Sequence, residues 1–242
     1  MGLSVFLQNS LAVALKKALN INMFYSDIAI VRRENRQAGN EMTPEQTGKA
    51  YDQITHLWLS EEFNLDNGIE AHKRAIAFIS SRGKALDIGC GCTGRFINLL
   101  QQEGFQPEGM DISRKMIQLA RERHPDIPFY HQDICEAQLS SSYDFITAWD
   151  SIWHIPLEQQ IPVLTKIIAG LNPGGVFVFS FGGTQEAGQH TDDFMGPEVY
   201  YSSLGTNGFL ELFIKLGCTI RHLEFDQHPE LHTYLIAEKM IG

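Results

Sequence analysis

The chain has 242 residues, of which 43% are apolar, so it can bury a substantial core within one α/β domain. Its 19 Lys and Arg against 29 Asp and Glu give a formal net charge of -10, which argues against nucleic acid as a partner. Its four cysteines are scattered and no apolar run approaches the roughly 20 residues of a membrane span, so we expect a cytoplasmic chain with reduced thiols, no metal site and no membrane partner.

Apolar residues at three- and four-residue spacing predict an amphipathic helix over residues 3–19. Its polar face carries only Lys16 and Lys17, whereas helices that lie on membranes are usually rich in cations. We therefore favour a helix that packs on the domain, acts as a lid or forms an oligomer contact, and we leave the oligomeric state open.

A polar stretch over residues 32–45 follows, and Gly39 and Pro44 interrupt any periodicity in it. Such a composition is typical of a linker. We therefore divide the chain into an N-terminal helical extension and linker over residues 1–48 and a main domain over residues 49–242.

The main domain shows an alternation of helices and strands. After two predicted helices over residues 51–79, broken at residues 66–68, the predicted strands cover residues 84–88, 108–110, 127–130, 143–148 and 176–181, and the predicted helices cover residues 95–102, 114–123 and 157–171. Such alternation implies right-handed crossovers and a parallel sheet. Residues 172–175 predict a turn, and residues 176–181 lack polar alternation, as expected for a strand covered on both faces.

The end of the chain is less regular. Residues 182–205 predict an irregular stretch, followed by a helix over residues 208–216 and strands over residues 218–224 and 233–238.

A glycine-rich turn joins the first predicted strand to the helix after it. Its glycines, Gly89, Gly91 and Gly94, match the spacing of the dinucleotide fingerprint, and Asp111 lies about 20 residues further on, where an acid would bind a ribose. This spacing alone does not separate a nicotinamide cofactor from S-adenosylmethionine (SAM).

Three further features favour SAM. Asp87 precedes the glycines, where its charge would repel a pyrophosphate but attract an ammonium group. The chain lacks the Tyr-x-x-x-Lys pair of compact reductases, and its fingerprint starts late, at Gly89. Asp87, Asp111, Asp133 and Asp150 each come at or just after the carboxyl end of a predicted parallel strand, which is the edge where open α/β sheets bind ligands.

Together these motifs resemble those of the class I SAM-dependent methyltransferases, over most of residues 50–239. The resemblance implies a Rossmann-like, doubly wound sheet of seven mostly parallel strands that ends in an antiparallel hairpin formed by residues 218–224 and 233–238. It also implies SAM as the cofactor and methyl transfer as the reaction. The acidity of the chain favours a small-molecule methyl acceptor.

The resemblance also implies roles for individual residues. Asp87 would bind the ammonium group of SAM directly or through water, Asp111 the ribose hydroxyls and Asp133 the adenine amino group. The candidate cofactor-binding residues are Tyr51, Asp87, Gly89, Cys90, Gly91, Arg95, Asp111, Ile112, Met116, Asp133, Ile134 and Trp149.

His154 is the first candidate for a general base, because an imidazole ordinarily titrates at about pH 6.5, and Asp150 and His190 are the reserves. An aromatic lid is predicted from Tyr51, Trp58, Trp153, Tyr200 and Tyr201. Residues 182–205 would select the acceptor. Two alternatives stay open: a non-catalytic SAM-binding protein and a nicotinamide-dependent reductase.

Overall fold

A computed structural model describes residues 42–139 and 142–241. The helix predicted over residues 3–19 lies outside the described residues, as does most of the predicted linker. Within the described ranges, no helix has the length and apolar character needed to cross a membrane.

The described chain alternates helices and strands in the predicted order. The helices are α1 (Pro44–Ile54), α2 (His56–Leu59), α3 (Ile69–Ile76), α4 (Arg95–Gln102), α5 (Arg114–Arg123), α6 (Leu157–Ala169) and α7 (Thr206–Lys215), with a 3-10 turn over Ile152–His154. The strands are β1 (Lys84–Ile88), β2 (Gln106–Asp111), β3 (Phe129–His131), β4 (Tyr143–Ala148), β5 (Leu171–Gly182), β6 (Gly188–Asp192), β7 (Val199–Ser203), β8 (Cys218–Glu224) and β9 (His232–Lys239).

Seven of these strands form one sheet in the order β3-β2-β1-β4-β5-β9-β8. The first five are parallel, whereas β9 runs antiparallel to both β5 and β8. This confirms the predicted seven-stranded sheet and its closing antiparallel hairpin. The strand order reverses between β1 and β4, and open α/β sheets bind ligands in the crevice at the carboxyl ends of the strands at such a point.

Strand β5 lies at the centre of the core. Phe177, Phe179 and Phe181 face one side of the sheet and pack with Phe209 and Phe213 of α7, all of them fully buried. Its alternate residues, Val176 and Val178, belong to the cluster on the other face, beside α3 and α4. Both faces are covered, as the absence of polar alternation predicted.

The predicted linker is wrong at its end, because Pro44 is the first residue of α1. Thr43 accepts a hydrogen bond from the backbone N–H of Gln46, and the Gln46 side chain accepts one from the N–H of Thr43. This is a capping box, and proline is favoured at the first position of a helix, where its missing N–H costs nothing. The region before β1 contains three helices over residues 44–76, whereas two were predicted over residues 51–79.

The irregular stretch predicted over residues 182–205 is also wrong, because β6 and β7 form a separate antiparallel hairpin there. Strand β6 is polar and largely exposed, so it carries no apolar alternation that would mark a strand. The turn predicted over residues 172–175 falls within the bounds of β5, at an irregularity between the pairs Tyr143–Leu171 and Phe145–Val176, where Gly174 has a φ of +78°.

Candidate active site

A cavity of about 650 Å³ opens at the carboxyl edge of the sheet, a size typical of small-molecule sites. Most of the predicted site residues line it: Tyr51, Gly89, Cys90, Gly91, Arg95, Asp111, Ile112, Met116, Asp133, Ile134, Trp149, Asp150 and His154. Among the expected aromatic residues, Trp58, Trp153 and Tyr201 also line it. Asp87, His190 and Tyr200 lie outside its wall.

The glycine loop forms the floor of the cavity. Gly89 has a φ of +71°, and a Cβ atom there would lie 2.3 Å from Cβ of Ser151. Gly94, just before α4, also has a φ of +71°, and a Cβ atom there would lie 2.0 Å from Nε2 of His124. Gly91 has a φ of +56°, but a Cβ atom there would meet no atom of the described chain within 4 Å apart from its own chain neighbours. Gly91 therefore borders open space large enough for a ligand.

Asp111 ends β2 and lies beside this loop. Its Oδ2 accepts a hydrogen bond from the N–H of Gly91 (2.9 Å) and its Oδ1 one from the N–H of Ser113 (2.8 Å). Burial raises the pKa of Asp111, and these two hydrogen bonds oppose the rise. The carboxylate is thus fixed at the edge of the cavity, and each oxygen can accept a further hydrogen bond.

Asp133 and Ile134 follow β3 at the same end of the cavity. Oδ1 of Asp133 accepts a hydrogen bond from the N–H of Cys135 at 2.8 Å, an Asx turn that orients the carboxylate. Ile134 and Met116 are buried apolar residues of the same wall. This end combines a polar acceptor with apolar surface, which suits a heteroaromatic ring.

Asp87 and Arg95 lie under the glycine loop. Asp87 is 2% exposed, and burial raises its pKa to about 7 against the opposing charge of Arg95. The Arg95 guanidinium lies over the rings of Phe63 (5.1 Å) and Phe96 (4.5 Å), and its Nη2 is 3.9 Å from Oδ2 of Asp150. Arg95 therefore carries a buried positive charge between aromatic rings and acids.

Asp150 follows β4 and holds a φ of +53°, an uncommon conformation for a residue other than glycine. Its Oδ1 accepts hydrogen bonds from Oγ of Ser180 (3.0 Å) and Nε2 of His232 (3.0 Å), and its Oδ2 accepts one from Nδ2 of Asn67 (3.3 Å). These contacts hold Asp150 in its strained conformation. Positive φ at a half-buried acid that is held by three hydrogen bonds is typical of a functional site.

His232 joins Asp150 to a second acid. Its Nδ1 lies 2.5 Å from Oδ1 of Asp226, so both ring nitrogens contact carboxylates. Burial opposes a charge on this ring, but the two hydrogen bonds raise the pKa of His232 to about 9. Burial also opposes the charge of Asp150, yet the hydrogen bond from His232 lowers the pKa of Asp150. At neutral pH, His232 is therefore an imidazolium held between two carboxylates.

His154 has a partner at each ring nitrogen. Nδ1 lies 2.8 Å from the carbonyl oxygen of Tyr200, so it must carry the hydrogen. Nε2 then accepts hydrogen bonds from Nε1 of Trp153 (2.9 Å) and from the hydroxyl of Tyr51 (2.6 Å). Burial lowers the pKa of His154 to about 4. The ring is neutral at pH 7, and its basic nitrogen faces Tyr51.

Sequence reasoning missed several cavity residues, among them Phe63, Asn67 and His232. The position of His232 at the start of the last strand could have identified it as a residue of the cavity. An antiparallel neighbour of β5 begins at the edge where β5 ends, and His232 pairs with Gly182 there. Within residues 42–139 and 142–241, no cluster of three or more His, Cys, Asp or Glu could hold a metal ion.

This edge, with its glycine loop and its acids at strand ends, corresponds to a known domain. A family model described as a methyltransferase domain matches residues 63–197, more than half of the chain. The chain belongs to this methyltransferase family. The family expected from the sequence is confirmed, and with it SAM as the cofactor, so the nicotinamide alternative has no support.

The individual proteins that the chain resembles share limited sequence identity with it. Phosphoethanolamine N-methyltransferase from Plasmodium falciparum is 28% identical over 126 residues, which are 50% of this chain and 47% of that protein. The chain spans about half or less of the length of the curated relatives that it matches first.

Solved structures share the fold. A SAM-dependent methyltransferase from Leishmania major has a TM-score of 0.65 at 15% identity, over 81% of this chain and 82% of that one. A SAM-bound amino pentose methyltransferase from Micromonospora echinaspora has a TM-score of 0.57 at 18% identity, over 72% and 91%.

Proposed function

We propose that this methyltransferase transfers the methyl group of SAM to a small-molecule acceptor bound in the same cavity. The observation that supports this most directly is the continuity of the cavity. One wall runs from Asp111 and Asp133, past the glycine loop and Trp149, to Tyr51 and His154. A donor and an acceptor can therefore lie end to end, away from bulk water.

The residues at the first end suit SAM. Asp111 would accept hydrogen bonds from the ribose hydroxyls, Asp133 would accept one from the adenine amino group, and Ile112, Met116 and Ile134 would contact the ring. The open space at Gly91 leaves room for the rest of the cofactor beside Gly89 and Cys90.

The middle of the cavity suits the methionine carboxylate. Arg95 and Trp149 line it, and Nε of Arg95 and Nε1 of Trp149 are buried without an acceptor in the described part of the chain. Buried donors are nearly always paired, so a bound anion is expected there. Asp87 lies outside the cavity wall, so we assign it an electrostatic role, directed at the ammonium group and at Arg95.

SAM supplies an electrophilic methyl group, and the chain has to hold the acceptor in line with it and exclude water. Positioning of this kind can lower a barrier by roughly 7 to 11 kcal/mol. Tyr51 and His154 border the acceptor end together with Asp150, and we assign them the handling of the acceptor's proton. His154 acts through Tyr51, because the hydroxyl of Tyr51 occupies its basic nitrogen.

The test is a pair of measurements on the purified chain. Isothermal titration should show binding of SAM and S-adenosylhomocysteine but not NADH, because the family and the acidic cavity oppose a dinucleotide. Asp111→Ala should weaken S-adenosylhomocysteine binding by about tenfold or more, since it removes charge-assisted hydrogen bonds. The exposed Asp126→Asn serves as the control.

Mass-spectrometric detection of methylated products from an acceptor library separates an enzyme from a non-catalytic SAM-binding protein. Cofactor binding without a methylated product in the library would favour the non-catalytic alternative. Absence of binding to either adenosyl ligand would overturn the proposal.

A further inference from the structure

The hydrogen bonds around His154 determine whether the hydroxyl of Tyr51 donates or accepts a hydrogen bond. The carbonyl oxygen of Tyr200 can only accept, so Nδ1 of His154 donates and Nε2 has only its lone pair to offer. The Tyr51 hydroxyl, 2.6 Å from Nε2, therefore gives its hydrogen to His154 and shares that lone pair with the Nε1–H of Trp153. Any further hydrogen bond at Oη of Tyr51 is one that the oxygen accepts. A ligand in the cavity that forms a hydrogen bond with Oη of Tyr51 must therefore be the donor.

Asp150 selects a donor as well. Its carboxylate lines the cavity, and its protein partners hold it in the ionised form. The imidazolium of His232 at 3.0 Å and the guanidinium of Arg95 at 3.9 Å offset part of this charge, and Asp226 offsets His232 in turn. A ligand that approaches Asp150 and Tyr51 together meets two acceptors.

The rings around this end favour a cation over a neutral donor. Tyr51 and Trp58 lie 5.4 Å apart between ring centroids, and the ring of His154 lies 4.8 Å from that of Tyr201. Aromatic faces attract cations, most strongly where water is excluded. Among the described residues that line the cavity, Arg95 is the only Lys or Arg, whereas Glu62, Asp111, Asp133 and Asp150 are acids.

We propose that the methyl acceptor is an organic amine, bound as its ammonium ion with N–H donors directed at Oη of Tyr51 and the carboxylate of Asp150. This rests on the proposed function and narrows its substrate class. In balance, the ammonium ion loses one proton to solvent, and the freed nitrogen lone pair forms the bond to the methyl carbon. The bond from that carbon to sulfur breaks with its electrons on sulfur. The product is again an ammonium ion.

Binding of matched probes tests this without relying on turnover. The protein saturated with S-adenosylhomocysteine is titrated calorimetrically at pH 7.5 with three carbon frames: 2-phenylethyl, cyclohexyl and n-hexyl. Each frame is offered as the amine, the alcohol and the carboxylate. We expect the amine of at least one frame to bind about tenfold more tightly than its alcohol, and the carboxylates to bind more weakly still.

Two variants assign the preference to the named residues. Asp150→Asn should reduce amine affinity by about tenfold or more and leave alcohol affinity within about threefold, because only the amine loses a charge partner. Tyr51→Phe removes one acceptor without touching the Asp150 network, so it remains informative if Asp150→Asn does not fold. Glu211→Gln, exposed on α7, is the matched control.

The outcomes separate the two proposals. Loss of S-adenosylhomocysteine binding in the unmodified chain contradicts the proposed function itself. If that ligand binds but alcohols or carboxylates equal the amines on every frame, or no probe of any class binds, the amine assignment is wrong. Amine preference that survives both variants also overturns it.

Discussion

The hydroxyl of Tyr51 lies 2.6 Å from Nε2 of His154, and this hydrogen bond joins two parts of the chain that are 103 residues apart. Tyr51 belongs to α1, before the sheet begins, and His154 ends the 3-10 turn after β4. The bond therefore fastens the first described helix over the acceptor end of the cavity. Its loss should affect acceptor handling more than cofactor binding.

Once an acceptor is known, Tyr51→Phe should lower turnover by about 100-fold. This is the smallest loss expected when a group that transfers a proton is removed. S-adenosylhomocysteine affinity should fall by no more than about threefold, because the cofactor's other contacts lie along β1, β2 and β3. Steady-state kinetics and calorimetry provide the two readouts. Equal losses in both would instead assign Tyr51 mainly to cofactor binding.

Gly91 and Gly94 should respond differently to alanine. Gly91→Ala puts a methyl group into open space and carries only the cost of a positive φ, roughly 1 to 2 kcal/mol of stability. It should weaken S-adenosylhomocysteine binding by about tenfold or more, because the methyl group occupies ligand space. Gly94→Ala adds a clash with His124 and should destabilise the fold more strongly.

Denaturant unfolding and calorimetry of both glycine variants check this contrast. If Gly91→Ala binds S-adenosylhomocysteine as the unmodified chain does, the loop does not approach the cofactor there.

The contribution of His232 to the free energy of unfolding should depend on pH. Its folded pKa of about 9 lies above its ordinary value of 6.5, so its contribution is fully present below about pH 6.5 and is lost as the pH rises through 9. The size is on the order of 3 kcal/mol. The difference in unfolding free energy between the unmodified chain and His232→Gln should therefore shrink from pH 6.5 to 9.5. A difference that is constant over this range would exclude a buried imidazolium.

Asp87 should destabilise the apoprotein where His232 stabilises it, although both contributions change in the same direction with pH. Its folded pKa of about 7 lies above its ordinary value of 3.8, so the folded state disfavours the charged form, and stability is lost as the pH rises from about 4 to 7. Asp87→Asn should thus gain stability over the unmodified chain between pH 5 and 8, by on the order of a few kcal/mol. Asp126→Asn, on the surface, should stay within about 0.5 kcal/mol throughout. Thermal unfolding over this pH range is the measurement, and a flat Asp87→Asn difference contradicts it.

The cofactor half of the cavity could be predicted from the sequence because its rules are local. The glycine spacing marks a loop that needs positive φ, and Asp111 and Asp133 come at the ends of strands that periodicity reveals. Parallel strands bring their carboxyl ends to one edge, so the strand pattern alone is enough to expect these acids together although they are distant in sequence.

The acceptor half could not be predicted in the same way. Asn67, just before α3, and His232, at the start of β9, are far apart in sequence and meet at Asp150 only through tertiary packing. The tautomer of His154 depends on a backbone carbonyl in β7, a strand whose partner β6 carries no apolar pattern. Such contacts depend on tertiary packing, and no spacing along a single sequence reports them.

The hairpin of β6 and β7 reaches the acceptor site through the carbonyl oxygen of Tyr200, which is an atom of the main chain. Replacing the side chain at position 200 leaves that oxygen in place, so point mutations in the hairpin can reshape the cavity wall while His154 keeps its tautomer. An insertion or deletion that shifts the register of β7 by one residue would turn a different carbonyl toward the ring. The tautomer of His154 is therefore set by the register of β7 and not by the residue type at position 200.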